Sequence, residues 1–177
     1  AGKKRLQAVP AGQTAEVAEI AAVAGSSAAA GIMAAKMGET EANEKPAGKL
    51  TAFLSGTAIP LAEVKDGVFS EGILGDGMAI IPESDTLYAP ADAEIAALMP
   101  DSRHACGLKL ENGMEVLLHI GIDTVGMNGD GFEYLVQEGQ KVSAGTPLIK
   151  FDRAKIKAAG HPDVTVCIIS NPGNAKA

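Results

Sequence analysis

From residue 49 onward, short apolar runs alternate with turns rich in Gly, Pro, Asn and Asp. Runs of this length between turn residues are typical of β-strands rather than of helices. The rhythm predicts an all-β domain, built as an antiparallel sandwich or barrel of short strands. The runs cover residues 50–54, 78–81, 94–98, 105–110, 114–120, 132–136, 147–151 and 164–169.

Very little helix is expected in this domain. Residues 152–159 have a helical pattern that ends at Gly160 and Pro162. Two similar turn motifs, Gly75-Asp76-Gly77 and Gly129-Asp130-Gly131, precede similar apolar runs and suggest a duplicated hairpin. Neither motif has the Lys-Ser/Thr pair of a nucleotide-binding P-loop, so we interpret both as turns.

Asn112-Gly113 stands between two apolar runs and is a preferred dipeptide for a two-residue hairpin turn. With that turn, Cys106 lies opposite His119, and His104 is a diagonal neighbour of His119. Side chains alternate between the faces of a strand, so two of the chain's three histidines share one face. We predict that this face is an outward patch and that the opposite face is core. The patch comprises His104, Cys106, Leu108, Leu117 and His119.

Residues 1–48 contain many Ala, Gly, Glu and Lys and almost no large apolar side chains. Such a segment buries too little apolar surface to offset the entropy of ordering the chain, so we predict a flexible linker. A short helix at residues 14–24, with Thr14 as its N-cap, fits the local pattern. The compact domain is assigned to residues 49–177.

The net charge of −7 argues against binding to nucleic acid or to anionic membrane surfaces. It favours a basic partner, although acidic surfaces also serve solubility alone. The two cysteines, Cys106 and Cys167, lack zinc-site spacing and indicate reduced thiols rather than a disulfide framework. No apolar run approaches the roughly 20 residues needed to span a bilayer.

His104 and the sequence Leu-Leu-His-Ile-Gly-Ile-Asp-Thr-Val at residues 117–125 closely resemble the glucose-type enzyme IIA domain of the bacterial sugar phosphotransferase system. The resemblance covers roughly residues 50–171, in order and with the family's spacing. Its further motifs lie at residues 66–70, 75–80, 89–90, 129–133, 138–142 and 169–171.

The resemblance implies a phosphocarrier. His119 would accept a phosphoryl group from the histidine phosphocarrier HPr and pass it to a cysteine of a IIB domain, coupled to sugar uptake. His104 would be its active-site partner, and Ser102 matches a threonine that orients the partner imidazole. No nucleotide or metal cofactor is required for this chemistry. The implied partner-docking residues are Asp66, Val68, Phe69, Ile73, Leu117 and Asp123.

The resemblance also places the domain in the cytoplasm, tethered to the inner face of the membrane as the detached end of a larger permease. An independent protein is the alternative. The domain itself is expected to make no direct membrane contact. Family members usually continue beyond the Ile-Ser-Asn motif with a glycine-rich turn and a final strand. Here only a few residues follow, so we expect that this strand is missing and that a sheet edge is left unpaired.

Cys106 departs from the family pattern, which usually has an apolar side chain at this position. In the two-residue-turn register it faces His119, which opens an alternative from a different functional class. A metal- or ligand-binding regulatory module would use His104, Cys106 and His119 on the same scaffold. We favour the interpretation of Cys106 as a small apolar filler.

Overall fold

The computed structural model describes residues 3–11 and 49–173. Within these residues the chain is built mainly of strands, with one short α-helix, α1, at Arg153–Ala158 and 3-10 turns at Leu61–Glu63 and Thr124–Met127. The strands are β1 (Lys4–Leu6), β2 (Gly56–Pro60), β3 (Asp76–Pro82), β4 (Thr86–Tyr88), β5 (Ala93–Leu98), β6 (Ala105–Leu110), β7 (Glu115–Ile120), β8 (Phe132–Tyr134), β9 (Lys141–Val142), β10 (Pro147–Phe151) and β11 (Thr165–Asn171).

The strands form two sheets. One has eight strands in the order β1-β2-β3-β11-β7-β6-β5-β9, and the other has three in the order β4-β10-β8. Every ladder between these strands is antiparallel. The predicted all-β antiparallel architecture is therefore confirmed. The first Gly-Asp-Gly motif leads into β3 of the large sheet, which begins at Asp76, and the second precedes β8 of the small sheet.

The main core lies between the sheets. Side chains of the small sheet, such as Leu87 and Ile149, are fully buried against side chains of the large sheet, such as Leu108 and Leu118. Apolar residues that alternate along each strand supply this layer, as expected for a sandwich. Among the described residues, no helix is long and apolar enough to cross a membrane.

A second, smaller cluster covers the opposite face of the large sheet. Residues 165–168 of β11 are therefore buried on both faces, which explains why their sequence is continuously apolar apart from Thr165. We call this second layer the outer cluster. Its buried members are Ile59, Leu61, Phe69, Ala79, Val166 and Ile168, and Leu117 and Ile122 pack against it while remaining partly exposed.

The register of the β6–β7 hairpin differs by one residue from the predicted one. Ala105, not Cys106, lies opposite His119. The cause is the turn, because Leu110 N–H donates to the carbonyl of Met114 and leaves three residues in the loop. Gly113 has φ +82°, the left-handed residue that completes a three-residue loop.

This shift corrects the predicted patch. Cys106 and Leu108 face the core between the sheets, where each is only 1% exposed. Leu117 and His119 remain on the opposite, outer face of the sheet. A shift of one residue in register moves a side chain to the other face of a strand. The predicted two-residue loop therefore placed Cys106 and Leu108 on the wrong face.

Residues 3–11, which sequence analysis assigned to a flexible linker, instead pack on the domain. β1 pairs with β2 and forms one edge of the large sheet. The predicted linker and the predicted helix at residues 14–24 otherwise lie outside the described residues. Residues 50–54, predicted as a strand, form no strand, yet Phe53 and Leu54 are fully buried.

The predicted helix at residues 152–159 corresponds to α1. The Asp152 side chain caps it by accepting a hydrogen bond from the backbone N–H of Lys155, as acidic N-caps do. Gly160 follows with φ +84°, a conformation that ends helices. Ile156 anchors this short helix in the main core.

Candidate active site

Two histidines meet at one end of the β6–β7 hairpin. The ring centroids of His104 and His119 are 4.5 Å apart and the rings are nearly perpendicular. His119 lies on β7, whereas His104 precedes β6 and its carbonyl accepts from Ile120 N–H at 2.8 Å. Arg103, with φ +51°, ends the strand geometry there, so strand alternation does not fix the direction of the His104 side chain. The structure therefore brings the two histidines together in a register other than the predicted one.

The backbone sets the tautomer of His119. Its Nδ1 lies 2.9 Å from the carbonyl oxygen of Gly121, and a carbonyl can only accept a hydrogen bond. Nδ1 therefore carries the proton, and Nε2 keeps a free electron pair. Gly121 has φ +73°, and a Cβ there would lie 2.4 Å from a methyl group of Thr124. Only glycine fits this tight return of the chain.

Both imidazoles are neutral at physiological pH. Burial, followed by the neighbouring His104, lowers the pKa of His119 to about 4, against smaller individual opposing effects of the Gly121 hydrogen bond and of two nearby carboxylates. Burial also lowers the pKa of His104. Neutral imidazole has a nucleophilic nitrogen, whereas imidazolium does not. The site therefore holds His119 in its reactive form.

A loop from residue 66 to residue 75 covers His119. The ring of Phe69 lies 4.9 Å from the His119 ring, centroid to centroid. Asp66 shapes this loop, because its carboxylate accepts hydrogen bonds from the backbone N–H groups of Val68, Phe69 and Ser70 at 3.0–3.3 Å. Burial opposes ionisation of Asp66, but these hydrogen bonds outweigh it and hold its pKa below the usual value.

Asp66 was predicted as a docking residue, and its carboxylate also bonds the backbone of the loop. Asp123, the second predicted acidic residue, is exposed and adopts φ +58° just before the second 3-10 turn. Among the described residues, no hydrogen bond or ion pair engages its carboxylate. The carboxylate of Asp123 is thus available to a partner.

Exposed apolar side chains lie on the loop that covers His119 and on the 3-10 turn that follows β7, and we call them the apolar rim. Val68 and Ile73, both predicted for docking, are 47% and 73% exposed. Sequence analysis missed Leu74 and Val125, which are 42% and 57% exposed. Val125 belongs to the recognised motif at residues 117–125, so its position there was an available signal. Solvent-exposed apolar side chains concentrated beside a reactive group indicate a surface that binds another protein.

Ser102, predicted to orient the imidazole of His104, is buried beside the start of β6. The Nδ1 atom of His104 is buried and has no hydrogen-bond partner among the described residues. The Ser102 hydroxyl therefore makes no hydrogen bond to this atom, and the orienting role predicted for Ser102 stays a prediction. Serine lacks the methyl group that restricts the χ1 angle of threonine, so its hydroxyl is less strictly directed.

Tyr134 holds the turn that leads to His104, and sequence analysis did not identify it. Its hydroxyl donates to the carbonyl of Ala105 at 2.5 Å and accepts from the N–H of Met99 at 2.9 Å. Tyr134 lies on β8 in the small sheet. One phenol thus connects the two sheets and fixes both ends of the residue 99–105 turn.

Cys106 does not join the histidines. It faces the main core, and burial raises the pKa of its thiol to about 12. A thiol binds zinc as the thiolate, which this environment disfavours. No cluster of three metal-ligating side chains occurs among residues 3–11 and 49–173. The alternative ligand set of His104, Cys106 and His119 is therefore not assembled.

The lowered pKa of His119 predicts a stability difference. Between pH 6.5 and about 4 the unfolded state binds a proton at His119 that the folded state rejects, so unfolding becomes easier as pH falls. Between pH 7.5 and pH 5, we expect wild type to lose about 2 kcal/mol more unfolding free energy than His119→Gln. Urea unfolding at both pH values measures this. Equal losses would contradict the burial of a neutral imidazole.

Known proteins are similar to this chain in sequence and in fold. The family phosphoenolpyruvate-dependent sugar phosphotransferase system, EIIA 1, matches residues 48–175. The glucose-specific EIIBCA component of Corynebacterium glutamicum is 46% identical over 70% of this chain and 18% of its own length. The mannose-specific EIIBCA component of the same species is 47% identical over 67% of this chain and 17% of its own length. The chain therefore spans less than a fifth of these relatives.

A solved structure agrees with these sequence matches. Glucose permease IIA from Mycoplasma capricolum superposes with a TM-score of 0.64 and is 39% identical, covering 69% of this chain and 79% of its own. The region that the family model matches, residues 48–175, contains both histidines and the loop that covers His119. The chain belongs to the EIIA type 1 family of the phosphoenolpyruvate-dependent sugar phosphotransferase system.

Proposed function

We propose that His119 accepts a phosphoryl group from the phosphocarrier HPr and passes it to a cysteine of a IIB domain during sugar uptake. The observation that carries this proposal is the state of the His119 ring. Its Nδ1–H is engaged by Gly121, its Nε2 is free, and its pKa of about 4 keeps it neutral. The apolar rim suits contact with a protein donor rather than a small molecule.

In the first step, the electron pair on Nε2 of His119 attacks the phosphorus of the donor phosphohistidine. A new N–P bond forms as the donor N–P bond breaks, and the electron pair of that bond returns to the donor imidazole. The His119 ring then carries a proton on Nδ1 and a phosphoryl group on Nε2, which makes it cationic. The carbonyl of Gly121 stabilises that positive charge through the existing hydrogen bond.

In the second step, a cysteine thiolate of the IIB domain attacks the same phosphorus, and the electron pair of the N–P bond returns to His119. Phosphoryl transfer requires positioning and charge stabilisation more than covalent help from the protein. The ring of His104, in edge contact with that of His119, is positioned to donate an N–H to a phosphoryl oxygen.

The proposed cellular setting follows from the relatives. The two Corynebacterium proteins are named as EIIBCA components, which supports a IIB acceptor in the same permease and a cytoplasmic position at the membrane. The sugar handled by such a permease is not encoded in this domain. Direct contact of this domain with nucleic acid or membrane lipid is not part of the proposal.

Incubation with phosphoenolpyruvate, enzyme I and HPr, followed by intact mass measurement, tests the proposal. We expect a mass gain of one phosphate that acid removes, because phosphohistidine is acid-labile. A folded chain that gains no mass, while a known IIA domain in the same reaction does, would overturn the proposed function.

Docking of the donor gives a separate prediction. We expect Asp123→Asn to slow phosphorylation by HPr several-fold at low salt, through slower association, because the variant loses the charge that attracts a basic partner. Asparagine tolerates positive φ as aspartate does, so the turn is retained. Added salt should slow wild type and narrow the difference.

The matched control is Glu133→Gln, which removes one exposed acid from β8 in the small sheet. Its phosphorylation rate should equal that of wild type at every salt concentration. A wild-type rate for Asp123→Asn at low salt would show that the apolar rim alone docks the donor.

A further inference from the structure

We infer that residues 3–11 are an integral edge of this domain, so a polypeptide joined to the N-terminus is held beside the active-site face. Because residue 11 and residue 51 both bond to one corner of the domain, such a polypeptide is attached through β1 and not through residues 12–48. The part of this inference that concerns phosphoryl transfer rests on the proposed function. The part that concerns the chain path does not.

The contacts of β1 are those of a structural strand. Lys4 pairs with Ala58 and Leu6 with Gly56 in register. Leu6 is 4% exposed and belongs to the main core. Beyond the strand, Ala8 N–H donates to the Ser55 hydroxyl at 3.0 Å. A buried leucine distinguishes this segment from a polar tail that only touches the sheet edge.

Charged groups add to this attachment. The Arg5 guanidinium bonds the Glu83 carboxylate through both Nε and Nη2, and Lys3 Nζ lies 3.1 Å from Glu63. These pairs are largely exposed, so each contributes little to stability. They contribute instead to the register of β1, because each pair joins one residue of the segment to one particular residue of the domain.

The described residues on the two sides of residues 12–48 bond to one corner of the domain. Ala11 N–H donates to the carbonyl of Gly145, and Gly145 N–H donates to the carbonyl of Ala89. Pro90 follows Ala89, and its carbonyl accepts a hydrogen bond from the backbone N–H of Thr51 at 2.7 Å. The chain therefore departs after residue 11 and returns before residue 51 at neighbouring points of the same turn region.

The close approach at this corner requires glycine. A Cβ on Gly145 would lie 2.6 Å from the carbonyl oxygen of Val9 and 2.8 Å from the backbone nitrogen of Ala11. Gly145 also has φ +83°. The backbone of residues 9–11 thus packs directly on backbone of the domain, which is typical of an internal segment.

The position of β1 relative to His119 follows from the sheet register. His119 pairs with Val166 on β11, and Val166 pairs with Ala79 on β3. Ala79 pairs in turn with Ile59 on β2. Lys4 pairs with the residue before Ile59, so this row reaches the N-terminal end of β1. Four strand spacings give about 19 Å between that end and His119.

This geometry changes the expected behaviour of a fused protein. A flexible spacer of about 48 residues has a root-mean-square end-to-end distance of roughly 40 Å. An N-terminal neighbour attached through β1 instead starts at a fixed point on the row of His119. Transfer from His119 to a IIB domain in the same polypeptide should then not depend on the length of residues 12–48.

A cleavage experiment tests the chain path. A site for a specific protease is inserted after residue 30 of the full chain, and the cut protein is passed over a gel-filtration column. We expect the N-terminal peptide to elute with the domain, and Leu6→Ser to release it. Lys4→Ser, an exposed change in the same strand, should retain it. Release of the peptide from the otherwise unaltered chain would overturn the inference.

A transfer experiment tests the consequence. In a fusion that carries a IIB domain on the N-terminal side, residues 12–48 are replaced by about eight Gly and Ser residues, enough to rejoin one corner. We expect onward transfer at the rate of the unshortened fusion. A change of several-fold would overturn the claim of attachment through β1. Failure of either fusion to accept phosphate from HPr would instead count against the proposed function, while the cleavage result would still decide the chain path.

Discussion

His119→Gln is expected to fold and to gain no phosphate from HPr. Glutamine retains an amide that can donate to the Gly121 carbonyl, but it has no nucleophilic ring nitrogen. His119 lies in the outer cluster region and is only partly buried, so its replacement leaves the main core intact. Intact mass after incubation with phosphoenolpyruvate, enzyme I and HPr measures the loss, which should be complete.

The control for this variant is His161→Gln. His161 is the remaining histidine of the chain and lies in the connection between α1 and β11, so this variant should gain one phosphate as wild type does. Stoichiometric phosphorylation of His119→Gln would remove His119 from the mechanism. Peptide mapping would then show whether His104 is the acceptor.

His104→Gln is expected to accept phosphate and then to discharge it very slowly. The donor phosphohistidine brings its own stabilising groups, so the first step survives the loss of His104. Transfer to a cysteine depends more on the hydrogen-bond donor that His104 supplies to the phosphoryl group. Loss of one such preorganised donor typically costs about 3 kcal/mol, a hundredfold or more in rate.

A single-turnover chase of the labelled variant with purified IIB domain measures this discharge. Tyr134→Phe is the informative comparison, because it loosens the turn before His104 without removing the imidazole. We expect an intermediate rate for that variant, since its His104 is present but less well held. Discharge of His104→Gln at the wild-type rate would reduce His104 to a packing neighbour.

The sequence predicts the position of the β6–β7 turn but not the length of its loop. Asn112-Gly113 correctly located the turn, because glycine at a positive φ is needed there. The same dipeptide also suits a three-residue loop that ends in a left-handed glycine, and local sequence does not distinguish the two. Packing in the core selects the three-residue loop, because that register places Cys106 and Leu108 between the sheets.

The N-terminal strand shows the limit of local pattern. Residues 4–6 are Lys-Arg-Leu, with too little periodicity to indicate a strand. Their partner is β2, about 50 residues further along the chain, and only that long-range pairing gives them strand structure. The recognised motif similarly located His104 and His119. It did not locate Tyr134. The Tyr134 hydroxyl bonds residues of the other sheet, and such a long-range contact has no signature in the local spacing of residues.

The two apolar layers of the large sheet differ greatly in size. The main core unites both sheets, whereas the outer cluster has a few side chains held in place by the loop that Asp66 shapes. Small layers of this kind open locally at lower free energy than the whole domain. On heating, the protein should therefore pass through a state that has its full strand content and no longer transfers phosphate. The temperature at which activity is lost should therefore depend on the stability of the outer cluster and not on that of the main core.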